Sequence, residues 1–360
     1  MKKFYTLLLI GIITSTFAQI PSNYYNSATS TGYTLKTQLY NIIKGHNNQG
    51  YAGLYTTYIS SDRDYYYEND GTLLDMYSEK PNGPDSYTYS ATSQGDRCGN
   101  YSDEGDCYNR EHIIPQSVFG SASPMYADAH FVVPSDGYVN GIRGNYAFGR
   151  VGTVDRITSN GSKRGYNLNS GYSAGYSGMV FEPIDEFKGD IARMIFYFAT
   201  RYENNVGNYT YSMFNGTSNQ VFTPHAINVL LTWANQDPVS QREIDRNNAV
   251  YSRQSNRNPF IDQPEYAMAI WGSLLNTDSY TAIQDVSIYP NPSNDNRVHI
   301  YSETEITNIQ VVTISGQIIR EISNPDFAEN TFTLNDLPSG FYFVRLSNQT
   351  AETVKKLIVN

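Results

Sequence analysis

A glutamate followed directly by a histidine, Glu111-His112, lies in "CYNREHIIPQSVFG" (107–120), in a chain with only five histidines. Further on, "DAHFVVPSDGYVNGIRGNY" (128–146) supplies Asn140 and Arg143. A carboxylate and an amide oxygen suit a hard divalent cation that keeps several of its waters. A neutral imidazole beside them can take a proton from an attacking water near pH 7. An arginine fork can hold a phosphate oxygen. Together these groups would serve phosphodiester cleavage. Glu111 and Asn140 would be the ligands of Mg2+ or another divalent cation, His112 the general base and Arg143 the phosphate contact. On its own, Glu111-His112 is no more than the polar end of a surface strand, so the case depends on the elements that bring Asn140 to it.

Those elements can be read locally. "REHII" and "HFVV" suit two short strands, and "SDGYVNGIRGN" can begin a helix with Ser135 or Asp136 as N-cap. Two strands and a helix would gather the residues across one small cleft. Arg143 would follow Asn140 by one helical turn.

The 360-residue length allows two domains, or one large domain with a module attached. With 39% hydrophobic and 17% charged residues, the chain is globular rather than disordered. Lys2 and Lys3 precede the apolar "LLLIGII" (7–13), and small residues at Thr16 and Ala18 permit cleavage, so residues 1–18 read as a secretory signal peptide. No other stretch approaches the ~20 apolar residues of a membrane span. The mature protein is expected to be exported and monomeric, without stable membrane insertion. Cys98 and Cys107 are the only cysteines. Two thiolates fall short of the four ligands of a structural zinc site, and in an exported protein a disulfide is expected.

The net charge of −10 argues against a polyanionic partner only on average. Residues 62–111 carry 12 acidic and 4 basic groups, whereas 143–164 set Arg143, Arg150, Arg156, Lys163 and Arg164 against Asp155 alone. A basic stretch therefore follows the candidate site immediately.

Texture divides the chain. Residues 19–275 mix tyrosine-rich loops, strand-like pieces and helical patterns. In "GDIARMIFYFATRYEN" (189–204), Ile191, Met194, Ile195, Phe198 and Tyr202 share a face and Arg193 points away from it. A second helix is expected over 225–236. Residues 276–284 read as a linker, and from 285 to 360 short alternating runs punctuated by turns suggest a small β-sandwich. The expected class is α+β. A "GxSxG" match at Gly171–Gly175 raises a serine hydrolase with Ser173 as nucleophile, but it lacks the flanking strand and helix of a nucleophile elbow. His46, His130 and His225 are expected to be structural. Arg257 is expected to bond neighbouring carbonyls.

Four stretches carry a family resemblance: "CYNREHIIPQSVFG", "YADAHFVVPSDGYVNGIRGNYAFG", "FEPIDEFKGDIARMIFYFATRY" and "DPVSQREIDRNNAVYSRQSNRNPFID". In this order they resemble the endonuclease I family, secreted or periplasmic nucleases built on a ββα-metal (His-Me) finger. The resemblance covers most of residues 22–273. It implies a sugar non-specific endonuclease cutting DNA and often RNA to leave 5′-phosphate ends, with the general base on His112 and the magnesium ligands on Glu111 and Asn140. One departure is Tyr126, where the family has an acidic residue. The disulfide-rich pattern of some relatives does not carry over to two cysteines. The tail, from "VSIYPNPSNDNRVHI" through "LPSGFYFVRLS" to the C-terminal "KKLIVN", is similar to a type IX secretion sorting domain. That implies export through the outer membrane by the type IX machinery, followed by release or surface attachment. The rival from another class is an inactive nuclease-like protein that adheres to extracellular DNA.

Overall fold

The computed structural model describes residues 20–274, 283, 285–313, 317–348 and 351–360. The signal peptide expected over 1–18 lies outside them, as does the 276–284 linker apart from Ile283. Two units separate, residues 1–275 and 276–360, each around its own apolar cluster.

The first unit opens with helices α1 (Gly32–Ile43) and α2 (Gly53–Ser61). In α1, Leu35, Leu39 and Ile43 recur every four residues and are buried as one stripe. A long tyrosine-rich loop leads to β1 (Tyr108–His112), paired antiparallel with β2 (Val132–Asp136). Helix α3 (Gly137–Arg143) follows β2 without a break. A four-stranded sheet then forms from β3 (Ala147–Phe148), β4 (Val151–Ile157), β5 (Lys163–Asn167) and β6 (Met179–Glu182), in the order β3-β6-β5-β4.

The helical remainder packs beside it: α4 (Lys188–Arg201), α5 (Glu203–Val206), α6 (Pro224–Gln236), α7 (Gln241–Gln254), α8 (Pro259–Asp262) and α9 (Glu265–Trp271). Helix α6 has the Thr223 hydroxyl as N-cap and Pro224 in its first turn. Helix α7 starts with a reciprocal capping box between Ser240 and Glu243. Helix α4 corrects the one-faced reading of 189–204, because every one of its residues is buried. Arg193 therefore does not reach water. Its guanidinium pairs with Glu243 at 2.5 and 2.8 Å and donates to the Asp237 carbonyl. A buried arginine is tolerated on such a helix because its fork is satisfied by a carboxylate and a carbonyl.

The second unit is all β: β7 (Val286–Tyr289), β8 (Val298–Ser302), β9 (Asn308–Thr313), β10 (Ile318–Ser323), β11 (Thr331–Leu334), β12 (Gly340–Ser347) and β13 (Glu352–Val359). Sheets β10-β9-β12-β13 and β11-β8-β7 enclose one core. Strand β12 shows why: Tyr342, Val344 and Leu346 are buried while Phe341, Phe343 and Arg345 face outward, the period of two that a half-buried strand requires. With helices and sheets in the first unit and a β-sandwich in the second, the α+β class holds.

Candidate active site

The strand–strand–helix unit forms as the local sequence suggests. In the β1–β2 register, Glu111 faces Val133 and His112 faces Val132. Asp136 ends β2 and caps α3, its Oδ1 accepting the Val139 N–H at 2.8 Å. Its Oδ2 accepts from the Tyr89 hydroxyl and the Gly105 amide, tying the preceding loop to the start of the helix. The cap was one of two expected; Ser135 is not it.

The Cys98–Cys107 disulfide is formed and lies against the same helix start. A Cβ built on Gly137 would stand 2.6 Å from Cys98 Sγ and 2.7 Å from the Tyr101 ring. Only glycine lets α3 begin this close to the bridge.

His112 is 4% exposed. Its Nε2 lies 3.2 Å from the Tyr126 carbonyl. The ring also meets the backbone of Arg110, so both of its polar contacts are to main chain, on β1 and at Tyr126. Burial pushes the imidazole down to about 4, which keeps it neutral at physiological pH. The ring stacks on Tyr126 at 5.4 Å, and Tyr126 stacks on Tyr51 at 3.9 Å. Tyr126, the departure from the family pattern, thus orients the histidine with its backbone, which is independent of side-chain identity.

Glu111 is 2% exposed. Its Oε1 accepts from the Tyr77 hydroxyl at 3.2 Å and meets Arg143 Nε at 3.2 Å. Burial lifts the carboxyl to about 7, against the pull of Arg143. The carboxylate also accepts from the backbone N–H of His112. Asn140, on the exposed side of α3, donates its Nδ2 to Asn109 Oδ1 at 2.6 Å, so its amide oxygen is left free. One carboxylate and one free amide oxygen are a donor set that fits a hard divalent cation.

Arg143 does not take the place expected of it. The side chain is 1% exposed and donates to the carbonyls of Ile113 (2.5 Å) and Gly144 (2.7 Å), with its guanidinium 4.7 Å from the Phe148 ring centroid. It is spent on Glu111 and on backbone, not offered to a phosphate. One helical turn sets Arg143 beside Asn140 in sequence terms, but it lies on the buried side of α3 whereas Asn140 is half-exposed.

The basic stretch is correspondingly thinner than its composition. Arg164 pairs with Asp155 and donates to the Ile142 carbonyl at the end of α3. Arg150 and Arg156 remain exposed. A polar cleft of about 670 Å³ is lined by Arg150, Lys163, Lys188 and Glu182 among others, but not by Glu111, His112 or Asn140.

The hydrolase alternative fails on geometry. Ser173 is fully buried, and its hydroxyl donates to Asn167 Oδ1 at 2.6 Å and accepts the Arg150 N–H. His225 bonds the Ser173 carbonyl rather than its hydroxyl. His130 is buried against the Asn256 carbonyl at 2.9 Å, and His46 accepts from Arg201. Arg257 differs from expectation: it binds Asp262 and the Asn248 side chain instead of carbonyls. Sequence reasoning missed Tyr77 and Asn109. Asn109 sits two residues before Glu111 on the same strand, and strand periodicity alone puts it on the Glu111 face.

Fold and site together define a ββα finger carrying a carboxylate, an imidazole and an amide. The model of the endonuclease I family matches residues 31–265, and the chain belongs to that family. Residues 287–360 match a secretion system C-terminal sorting domain. An extracellular ribonuclease of Bacillus subtilis (strain 168) is 34% identical over 270 residues, covering 74% of this chain and 84% of the relative. An extracellular ribonuclease of Bacillus amyloliquefaciens is 35% identical over 254 residues, covering 69% and 78%. A solved structure of PorZ, a surface component of the type IX secretion system of Porphyromonas gingivalis, overlaps 24% of this chain and 13% of its own at 16% identity, with a TM-score of 0.18. The protein is a hydrolytic nuclease, secreted or held at the cell surface. No described helix is long and apolar enough to cross a membrane.

Proposed function

We propose that this protein is a divalent-metal-dependent, sugar non-specific endonuclease that hydrolyses phosphodiester bonds in DNA and RNA and leaves 5′-phosphate ends. The observation that carries the reading is the finger itself, which ends β1 on Glu111 and a buried, neutral His112 and sets Asn140 on the helix that follows β2.

In this mechanism the neutral His112 imidazole takes a proton from a water aligned with the scissile phosphorus. Glu111 and Asn140 would hold the cation, Mg2+ in the simplest case. When bound, such an ion supplies positive charge to the phosphate and the departing oxygen. Arg143 holds Glu111 in place from the buried side. Tyr77 does so from the loop. Arg150 and Arg156, exposed on or beside β4, supply sequence-independent attraction to the backbone of the substrate.

RNA is included because both bacillary relatives are described as extracellular ribonucleases. Every named group lies in residues 77–156 of one chain, so a monomer suffices. The nuclease unit spans 19–275, the linker 276–284 and the sorting sandwich 285–360, with residues 1–18 as the export signal. Supercoiled plasmid and a structured RNA, each incubated with and without EDTA, test the reading. Loss of both cleavages in EDTA and recovery with Mg2+ are expected. Cleavage of either substrate undiminished by EDTA would sink the metal-dependent mechanism.

A further inference from the structure

Between α2 and β1 the chain passes through "DRDYYYENDGTLLDMYSE" (62–79), part of the acidic segment. Three of its carboxylates converge. Asp64, Glu68 and Glu79 each bring an oxygen to within 4.8 Å of the others. Asp64 also organises the loop: its Oδ1 accepts the N–H groups of Tyr66 and Tyr67, and its Oδ2 that of Asn69, all at 3.0 Å.

Glu79 is the informative member. It is 1% exposed, and apart from Glu68 within the cluster neither carboxylate oxygen has a hydrogen-bond partner. The nearby cations are committed elsewhere. Arg63 donates to the Gly71 carbonyl, Lys80 to the Ser86 hydroxyl, and Arg246 pairs with Asp62. Among the described residues none forms an ion pair with Asp64, Glu68 or Glu79. A buried carboxylate without hydrogen bonds or counter-charge is strongly disfavoured, and two further carboxylates aimed at it make it worse. A cation between them removes the conflict at once.

The donors say which kind. All are carboxylate oxygens, with no histidine or cysteine among them, which selects a hard ion over zinc or copper. Glu68 is exposed, leaving room for water to complete the irregular, oxygen-rich shell that calcium accepts and magnesium resists. We propose that Asp64, Glu68 and Glu79 bind a structural divalent cation of the calcium class, separate from the ion at Glu111 and Asn140. Its effect reaches the active site through the chain. Two residues before Glu79, the Tyr77 hydroxyl meets Glu111. Four residues before it, Asp75 accepts the Asp136 amide at 2.7 Å, at the junction of β2 and α3. Clamping Glu79 to Asp64 and Glu68 therefore fixes the segment that supports both the cation-binding strand and the helix beside it.

Calcium alone is the probe, applied to the full chain by calorimetry and thermal unfolding. Glu111→Gln is included to weaken the other cation position. Both wild type and Glu111→Gln should bind calcium and unfold at higher temperature in its presence. Glu68→Gln alters an exposed residue and spares the interior; it should weaken calcium binding by about tenfold or more. Glu79→Gln should lose the calcium-dependent rise in Tm, yet unfold without calcium no earlier than wild type, since burial and the neighbouring carboxylates already hold Glu79 neutral when no cation is bound. The proposal is overturned if wild type shows neither heat nor a Tm rise with calcium. It is equally overturned if Glu68→Gln and Glu79→Gln respond to calcium as wild type does, or if Glu111→Gln alone abolishes the response.

Discussion

Asn140 donates its side-chain N–H to Oδ1 of Asn109 at 2.6 Å, a link from the helix of the finger back to its first strand. The bond fixes which end of the Asn140 amide is free. Alanine at Asn140 should remove a ligand oxygen, and alanine at Asn109 should only let that oxygen wander. We therefore expect Asn140→Ala to need much more Mg2+ for activity, and Asn109→Ala to raise the requirement by ~10- to 100-fold, the usual worth of a group that orients a ligand. The double variant should cost far less than the sum, because both act on one ion. Titrating Mg2+ against initial cleavage rates decides it; additive losses would separate the two residues.

His112→Ala should leave folding and nucleic-acid binding intact while lowering cleavage by ~10²- to 10⁴-fold. Ser173→Ala should keep its cleavage rate and lose about 1 kcal/mol of stability, the net value of one buried hydrogen bond. Single-turnover rates and denaturant midpoints for both variants distinguish chemistry from packing. A His112→Ala enzyme that cuts at the wild-type rate would end the general-base assignment.

Arg143 is expected to behave as a buried pair partner. Arg143→Leu would leave Glu111 enclosed without its cation, a change that typically costs ~3–5 kcal/mol. The salt dependence of DNA binding should not move in Arg143→Gln, measured on a catalytically silent His112→Ala background. Arg150→Ala and Arg156→Ala on that background should each lower the slope of log K against log salt by about one if each neutralises a phosphate. A lowered slope for Arg143→Gln, with unchanged slopes for the other two, would return Arg143 to the substrate.

Acid sensitivity should trace in part to His130. Burial pushes its imidazole down from 6.5 to about 4, despite neighbouring Asp128 and the Asn256 carbonyl, which raise it. Between those values the unfolded chain binds a proton that the folded chain refuses. Stability from this group is therefore complete above pH 6.5 and is lost as pH falls toward 4. The loss amounts to about 3 kcal/mol. His130→Gln should show a flatter stability profile between pH 4 and 6.5, whatever its stability at pH 7. Parallel curves for the two proteins would exclude His130 as the source.

The finger was legible because each of its parts is local. A capping aspartate, two short apolar runs and a histidine beside a glutamate all declare themselves within a few residues. Arg143 and Arg193 were misjudged for a shared reason: nothing in their own helices reveals the partners that bury them, Glu111 on a strand and Glu243 on a distant helix. Helix α4 has an amphipathic pattern in sequence, but neighbours cover its polar side too, so period alone could not show its full burial. Tyr77 escaped notice because a tyrosine among 32 carries no signal until folding sets it against Glu111, and strand period puts Asn109 on the Glu111 face without revealing its bond to Asn140.

The bridge between Cys98 and Cys107 lies beside Gly137, the first residue of the helix that carries Asn140, and the Cys107 carbonyl accepts the Gly137 N–H at 2.9 Å. Reduction would release the Cys98 loop from the residue that holds this helix start, so activity should be lower before oxidation. A nuclease made beside its own chromosome would gain safety from such timing, since a disulfide forms only after the chain has left the reducing interior. Activity should fall on treatment with a reductant and return on reoxidation, and a Cys98→Ser, Cys107→Ser double variant should be poorly active in both conditions. Full activity in the reduced wild type would show that compartment and catalysis are independent.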